Sequence, residues 1–250
     1  MTRGFVVLGA AGALGTEVVS ELLRQDVAVL AFDQDQSGLA RQVEVHAASR
    51  ERLAVASGDA AEPADLNGAF EVAVKSFGRV DGVFNITGIQ GDLTDIRDTT
   101  IAIFESVMRA NVRTAWLGTQ IGIRYLLAGS GGSIVNTGSI LSHQGEARMA
   151  AYCASKHAVL GLTRAAAVEY ADRGVRVNML SPGGMNTTML RRLAETQTDA
   201  GQPDTTTARI PAGCLAEPRE VARVGAWLLL DAPDHLTGAI IPVDGARSAS

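Results

Sequence analysis

A glycine-rich loop directly after the first apolar segment is the feature that most constrains the fold of this chain. Residues 5–8 form a short apolar run typical of a buried strand, and three glycines follow it at regular spacing, Gly9, Gly12 and Gly15. Residues 16–25 then have the amphipathic pattern of a helix. A loop in this position brings backbone amides and a helix N-terminus together, where a pyrophosphate can bind.

Apolar segments alternate with helical patterns along the rest of the chain. The strand candidates are residues 5–8, 27–32, 53–56, 80–85, 133–136, 175–180 and 239–243. The helix candidates are residues 16–25, 36–48, 63–77, 101–127, 151–170 and 218–230. This alternation predicts a parallel sheet with helices on both faces and right-handed crossovers. Because the 250 residues contain no linker or repeat, we expect a single domain over residues 1–250, an α/β doubly wound sheet of the Rossmann type.

Charge and composition exclude several classes of protein. The formal net charge is −5, which argues against partners such as nucleic acid or an anionic membrane surface. No apolar run reaches membrane-spanning length, and the N-terminus lacks a signal-peptide pattern. The two cysteines, Cys153 and Cys214, suggest reduced thiols and a cytoplasmic location. No metal site is expected, because no histidine has metal-ligand spacing with a cysteine.

An acidic residue ends the second strand candidate. Asp33 lies about twenty residues after the glycine loop, where a carboxylate can accept a hydrogen bond from a ribose 2′-hydroxyl. Residues 9–15 and 31–40 contain no lysine or arginine that would balance the charge of a 2′-phosphate. The sequence therefore favours NAD over NADP. The alternative is an ordinary turn or helix-capping role for this residue.

Tyr152 and Lys156 lie four residues apart in the helix candidate 151–170, so they share one face of it. A free tyrosine titrates near ~10, and a neighbouring positive charge lowers that pKa. The pair is therefore a candidate acid/base near neutral pH. This spacing is common on exposed helix faces, so by itself it does not indicate a catalytic pair. The functional interpretation depends on the remaining motifs.

Together these motifs resemble those of the classical short-chain dehydrogenases/reductases over nearly the whole chain. The matching features are the glycine loop, Asp59, residues 85–88 (Asn-Ile-Thr-Gly), Asn111, Ser139, the tyrosine–lysine pair and the segment around residues 182–187. Three positions depart from the usual pattern: Leu8 replaces a threonine, Ala13 a glycine and Thr87 an alanine. None of these departures touches the catalytic set.

The resemblance implies a role for each matched residue. Ser139, Tyr152, Lys156 and Asn111 are the implied catalytic residues. Tyr152 would exchange the substrate proton, Ser139 would hold the same substrate oxygen, and Lys156 would lower the tyrosine pKa and bind the nicotinamide ribose. Asn111 would fix a water near Lys156. The implied cofactor-binding residues are Gly9, Gly12, Ala13, Leu14, Gly15, Asp33, Asp59, Ala60, Asn85, Gly88, Tyr152, Lys156, Pro182, Gly183, Met185 and Thr187.

The implied activity is NAD-dependent oxidoreduction of a secondary alcohol and a ketone, with the small-molecule substrate left unidentified. We expect residues 184–214 to form a substrate-binding loop or lid, and Ser139, Tyr152, His143 and Met189 to contact the substrate. Arg191 and Arg192 in this region could bind a carboxylate or be solvated on a lid helix. Two other functions stay open: a non-catalytic dinucleotide sensor, and a cofactor-retaining epimerase or dehydratase. Apolar residues on more than one face of helices 101–127 and 151–170, with the resemblance, favour a homotetramer or homodimer.

Overall fold

The computed structural model describes residues 2–188, 190 and 207–249. Seven strands lie in the described part: β1 Gly4–Leu8, β2 Ala28–Asp33, β3 Leu53–Ser57, β4 Gly82–Asn85, β5 Gly132–Thr137, β6 Val175–Pro182 and β7 Ile240–Val243. The same residues form seven α-helices: α1 Ala13–Arg24, α2 Gln36–Val45, α3 Pro63–Phe77, α4 Ile101–Met108, α5 Thr114–Ala128, α6 Ala150–Tyr170 and α7 Pro218–Leu230.

The strands form one parallel sheet in the order β3-β2-β1-β4-β5-β6-β7. The order reverses between β1 and β4, which are hydrogen-bonded neighbours. Ligands of open α/β sheets bind in the crevice outside the carboxyl ends of the strands at such a reversal. The fold therefore places the glycine loop after β1 and the loop after β4 on the two sides of a binding crevice.

Two hydrophobic cores lie on opposite faces of the sheet. One is built with α1, α2 and α7 and includes Val18, Leu39 and Val221. The other is built with α3, α5 and α6 and includes Phe70 and Ile121. Because helices cover both faces of the sheet, the central strands are buried on both sides. This explains why their sequences are continuous apolar runs. This confirms the doubly wound parallel sheet predicted from the sequence.

One predicted helix differs from the structure in its middle. The sequence predicts a single helix over residues 101–127, but a π-helical segment, Arg109–Arg113, lies between α4 and α5. A π-turn inserts an extra residue without ending the helix, so the apolar periodicity continues across it. The segment contains Asn111, whose side chain bonds outside the helix, as described below.

Candidate active site

A cavity of about 1190 Å³ runs along the carboxyl edge of the sheet. Among the residues predicted to bind cofactor or substrate, those that line it are Gly9, Gly12, Ala13, Leu14, Asp33, Asp59, Ala60, Gly88, Ser139, Tyr152, Lys156, Pro182, Gly183, Met185 and Thr187. They follow six different strands or lie on the helices next to them. The parallel topology thus brings residues that are far apart in the sequence into one crevice.

The glycine loop fits the phosphates of a dinucleotide. Gly9 has φ +86°, and a Cβ there would lie 2.8 Å from the backbone nitrogen of Thr87, so only glycine suits the tight turn. No side chain caps the N-terminus of α1, and its first residues, Ala13 and Leu14, line the cavity. Uncapped amides at a helix N-terminus are donors for an anion.

Asp33 supports this loop as well as lining the cavity. Its Oδ2 accepts a hydrogen bond from the backbone nitrogen of Ala11 at 2.9 Å, and its Oδ1 accepts one from that of Asp35 at 3.0 Å. Asp35 also lines the cavity and caps α2. Hydrogen bonds from Ser37 and Gly38 lower the pKa of Asp35, which keeps this carboxylate charged beside Asp33. Two carboxylates therefore lie at this end of the cavity.

Asp59 is hydrogen-bonded to the π-helical segment that contains Asn111. Its Oδ2 accepts a hydrogen bond from Arg109 Nη1 at 2.8 Å, and Arg109 Nη2 donates to Glu62 Oε1 at 2.6 Å. Arg113 Nε donates to the carbonyl oxygen of Ala61 at 2.7 Å. A backbone hydrogen bond from Ala61 and the ion pair with Arg109 lower the pKa of Asp59. Two arginines thus hold the loop after β3 against the π-helical segment.

Ser139, Tyr152 and Lys156 converge in the middle of the cavity. Ser139 follows β5 and caps a short 3-10 turn, and both Ser139 and Tyr152 line the cavity. Lys156 lies one turn further along α6, and its Nζ is 5.6 Å from the centre of the tyrosine ring. That Nζ also donates a hydrogen bond to the carbonyl oxygen of Thr137 at 2.9 Å. The predicted trio is therefore assembled.

Burial sets the proton affinity of this pair, contrary to the sequence expectation of a lowered tyrosine pKa. Burial raises the pKa of Tyr152 to about 12, against a lowering by the hydrogen bond with Ser139. Burial also lowers the pKa of Lys156 to about 8. Both shifts have one cause, since a low-dielectric site disfavours each charged form. In this state the phenol holds its proton, and the ammonium is weakened as a source of positive charge.

Asn111 lies behind the cavity and joins two of its walls. Its Oδ1 accepts from the backbone nitrogen of Ile89 at 2.7 Å, and its Nδ2 donates to the Ile89 carbonyl oxygen and to Ser155 Oγ, both at 2.9 Å. Ser155 directly precedes Lys156 on α6. The side chain of Asn111 therefore aligns the loop after β4 with the catalytic helix, while its predicted contact with a water stays a prediction.

Five predicted site residues are not among those that line the cavity. Gly15 is buried beneath the glycine loop, and Asn111 is behind the wall. Asn85 points into the protein, where its Nδ2 donates to Asn136 Oδ1 at 2.6 Å. His143 is exposed on the loop after β5. Met189 lies outside the described residues, as do Arg191 and Arg192.

Several charged residues that line the cavity have no counterpart in the sequence prediction. They include Arg109, Glu146, Arg209 and Arg247. Each meets its partner only through the tertiary structure, since the bonded pairs are separated by dozens of residues. Spacing along the chain therefore carries no signal for them.

The described residues contain no group of three or more histidines, cysteines, aspartates or glutamates placed to hold a metal ion. Within the same part of the chain, no helix is both long and apolar enough to cross a membrane.

Comparison with known proteins identifies the family. The family model described as enoyl-(acyl carrier protein) reductase matches residues 9–246. A cyclohexanol dehydrogenase from Acinetobacter sp. (strain SE19) is 33% identical over 244 residues, which are 98% of this chain and 94% of that protein. The chain belongs to the short-chain dehydrogenase/reductase family. It is therefore an oxidoreductase, and a nicotinamide dinucleotide is the expected cofactor.

Solved structures of short-chain dehydrogenases/reductases resemble this fold closely. A levodione reductase superposes with a TM-score of 0.94 at 27% identity, covering 99% of this chain and 98% of the other. The structure of ElxO with NADP bound superposes with a TM-score of 0.90 at 26% identity, covering 100% of both chains. Since this neighbour binds NADP, membership of the family leaves the choice between NAD and NADP open.

Proposed function

We propose that this protein is an NAD-dependent dehydrogenase that interconverts a secondary alcohol and the corresponding ketone. The observation that carries the proposal is the convergence of Ser139, Tyr152 and Lys156 in the cavity that begins at the glycine loop. A sensor that only binds a dinucleotide needs no proton donor at this place. The cyclohexanol dehydrogenase and the levodione reductase among its relatives support a cyclic alcohol or ketone as substrate.

Tyr152 transfers the proton to or from the substrate oxygen. The nicotinamide, when bound, supplies the hydride acceptor or donor for the carbinol carbon. Tyr152 Oη, with its pKa raised to about 12, is set to give its proton to the oxygen of a ketone, and Ser139 Oγ is positioned to bind the same oxygen. In alcohol oxidation the proton moves the other way and the phenolate must form first.

Lys156 contacts both the protein backbone and the cavity. One of its three N–H groups is directed to the carbonyl oxygen of Thr137, which leaves donors for a ribose hydroxyl in the cavity that the lysine lines. Protonation of Lys156 places a positive charge near the phenol, and this charge lowers the pKa of Tyr152. The lysine therefore both holds the cofactor and makes proton removal from Tyr152 easier.

The activity is tested by following reduced dinucleotide at its absorbance band while secondary alcohols, cyclohexanol first, are added with NAD or NADP. We expect absorbance to rise with NAD and a cyclic alcohol. A sensor or a cofactor-retaining epimerase would give no steady rise with any alcohol.

The preference for NAD is expected to exceed tenfold in kcat/KM. A 2′-phosphate would meet the carboxylates of Asp33 and Asp35, and the nearest arginine on α2, Arg41, pairs with Asp35 at 3.6 Å with both side chains well exposed. Losing a hydrogen bond to a charged group costs ~1.5–3 kcal/mol, and each ~1.4 kcal/mol is a factor of ten. Repulsion between the carboxylates and the phosphate adds to this cost.

Asp33→Asn is the informative variant, because the amide oxygen keeps an acceptor for the Ala11 amide while the charge is removed. We expect it to reduce the preference for NAD, and addition of Gln34→Arg to move the preference towards NADP. Asp172→Ala, at an exposed position outside the cavity, is the matched control. Equal kcat/KM with the two cofactors in the unchanged protein would refute the interpretation of Asp33.

We also propose a homotetramer, or a homodimer, assembled through α4 and α5. This surface exposes Trp116, Phe104 and Ile101, with 53%, 39% and 69% of each residue accessible, and a shallow groove surrounds Trp116. Light scattering at micromolar concentration should give at least twice the monomer mass, and Trp116→Glu should lower it. A monomeric unchanged protein would contradict the proposal.

The unpaired Cys153 and Cys214 support the further proposal of a cytoplasmic location.

A further inference from the structure

The π-helical segment Arg109–Arg113 is bonded on two sides to different parts of the cavity wall. On one side the Asn111 amide bonds to the backbone of Ile89 and to Ser155 Oγ. On the other side its two arginines bond to residues 59–62, the loop after β3. This short segment therefore joins the cavity wall at Asp59 to the wall that carries the catalytic helix α6.

Arg109 makes two charge-assisted hydrogen bonds with the loop after β3. Its Nη1 donates to Asp59 Oδ2 at 2.8 Å and its Nη2 to Glu62 Oε1 at 2.6 Å. An isolated ion pair at an exposed surface contributes little to stability, and the Arg109 side chain is 47% exposed. Here, however, one guanidinium bridges two carboxylates, and Arg113 adds a third bond to the carbonyl oxygen of Ala61. The three bonds hold one segment together.

The position of the Asn111 side chain depends on the π-helical geometry of this segment. A π-turn accommodates one extra residue in a helix. If the segment relaxed to a regular α-helix, the residues on one side of it would rotate by about 100° around the helix axis. The Asn111 amide would then leave Ile89 and Ser155. Since Asn111 is 1% exposed, water could not replace these bonds without opening the wall.

The loop after β4 packs directly on this amide, so a small displacement would reach the catalytic residues. A Cβ on Gly88 would lie 3.0 Å from Asn111 Oδ1 and 3.6 Å from Lys156 Nζ. Ser155, which receives a hydrogen bond from Asn111, directly precedes Lys156 on α6. The alignment of Asn111 therefore affects both the loop beside the lysine and the helix that carries it.

We infer that Arg109 is a positioning residue for the reaction, because it holds the π-helical segment on the loop after β3 and thereby keeps Asn111 aligned with the catalytic helix. The inference rests on the proposed function for the reaction that this alignment serves. Arg109 lines the cavity beside Asp59, so its loss also disturbs the wall there. Its effect on turnover is separate and passes through Asn111.

A double-mutant cycle tests whether Arg109 acts through Asn111. With saturating NAD and cyclohexanol, Arg109→Gln should lower kcat by about 3- to 10-fold, within the range for coupled neighbouring residues. In the Asn111→Ala background the same substitution should change kcat by less than about twofold, because the side chain that it positions is already absent. Independent effects that multiply in the double variant would overturn the inference.

Two further variants separate positioning from other roles of the charge. Arg109→Lys keeps the charge but not the fork that bridges two carboxylates, so it should recover part of the lost kcat. Arg24→Gln is the matched control, since it breaks a 2.6 Å ion pair with Glu21 on α1, outside the cavity, and should leave kcat unchanged. If Arg109→Gln raised KM for NAD and left kcat unchanged, Arg109 would serve cofactor binding alone and the inference would be overturned.

Hydrogen–deuterium exchange tests the alignment without any activity. The backbone amide of Ile89 donates to Asn111 Oδ1 at 2.7 Å, so its exchange rate reports whether Asn111 is in place. Arg109→Gln should speed exchange at Ile89 towards the rate seen in Asn111→Ala, while the amide of Val135 in the core stays protected. Fast exchange at Ile89 in Asn111→Ala but not in Arg109→Gln would overturn the inference. A lack of alcohol oxidation by the unchanged protein would count against the proposed activity instead.

Discussion

Tyr152→Phe is expected to lower turnover by about 10²–10⁴-fold, the usual contribution of general acid–base catalysis. The ring and its packing are retained, so dinucleotide binding should change little. The loss is expected in both directions, because the phenol supplies the proton in reduction and its anion accepts the proton in oxidation. Steady-state kinetics and dinucleotide titration on the same preparation separate the two effects.

Tyr170→Phe is the matched control, since this tyrosine ends the same helix and lies outside the cavity. It should retain the activity of the unchanged enzyme.

The pH dependence of the reaction gives a second check on the role of Tyr152. With a pKa raised to about 12, the phenol stays protonated across the neutral range, so reduction should not be lost there by tyrosine ionisation, whereas oxidation should rise with pH. Near-normal turnover of Tyr152→Phe would contradict the assigned role.

Gly15→Ala is expected to weaken dinucleotide binding by about 5- to 100-fold. A Cβ at this position would overlap the carbonyl oxygen of Gly9 and lie 2.8 Å from the Cα of Ala10. Backbone atoms cannot move aside as a flexible side chain does, so the glycine loop must shift. Overpacking of this kind costs ~1–3 kcal/mol, at ~1.4 kcal/mol for each factor of ten. Calorimetric titration with the cofactor measures the change.

Gly68→Ala provides the control for this substitution. Gly68 lies in α3, and a Cβ there meets nothing within 4 Å, so alanine should leave binding unchanged and favour the helix. Thermal melting of both variants shows whether the Gly15 variant is folded. Normal cofactor affinity in a folded Gly15→Ala protein would show that the loop does not hold the phosphates as proposed.

Most of the fold could be predicted because its signals are local. Each strand is a short apolar run that ends at glycine or a polar residue, and α3 and α7 begin at Pro63 and Pro218 as predicted. The π-helical segment could not be predicted, because one inserted residue leaves the apolar pattern intact. The alternation of side chains between the two faces of a strand could have removed one residue, Asn85, from the predicted cofactor-binding set. Asn85 shares its side of β4 with Val83, which packs in the core beneath α5, and its side chain points the same way.

The candidate site was predictable only in part. The motifs that follow β1, β2 and β5 meet at one edge because parallel strands end together, so Asp33 and Ser139 could be placed in advance. The proton affinity of Tyr152 could not, because the neighbouring lysine is visible in the sequence while the burial that dominates the pKa is not. The pairing of Glu146 with Arg209 joins two loops with no common pattern, so it appears only in the structure.

Transfer of deuterium from the substrate to the nicotinamide tests the central claim most directly. Cyclohexanol deuterated at its carbinol carbon is incubated with the enzyme and NAD, and the products are analysed by mass spectrometry and NMR. We predict one deuterium at C4 of the reduced nicotinamide for each ketone formed, and no transfer with Tyr152→Phe on the same time scale. Product formation with the label kept on the substrate carbon or lost to water would contradict hydride transfer to the dinucleotide.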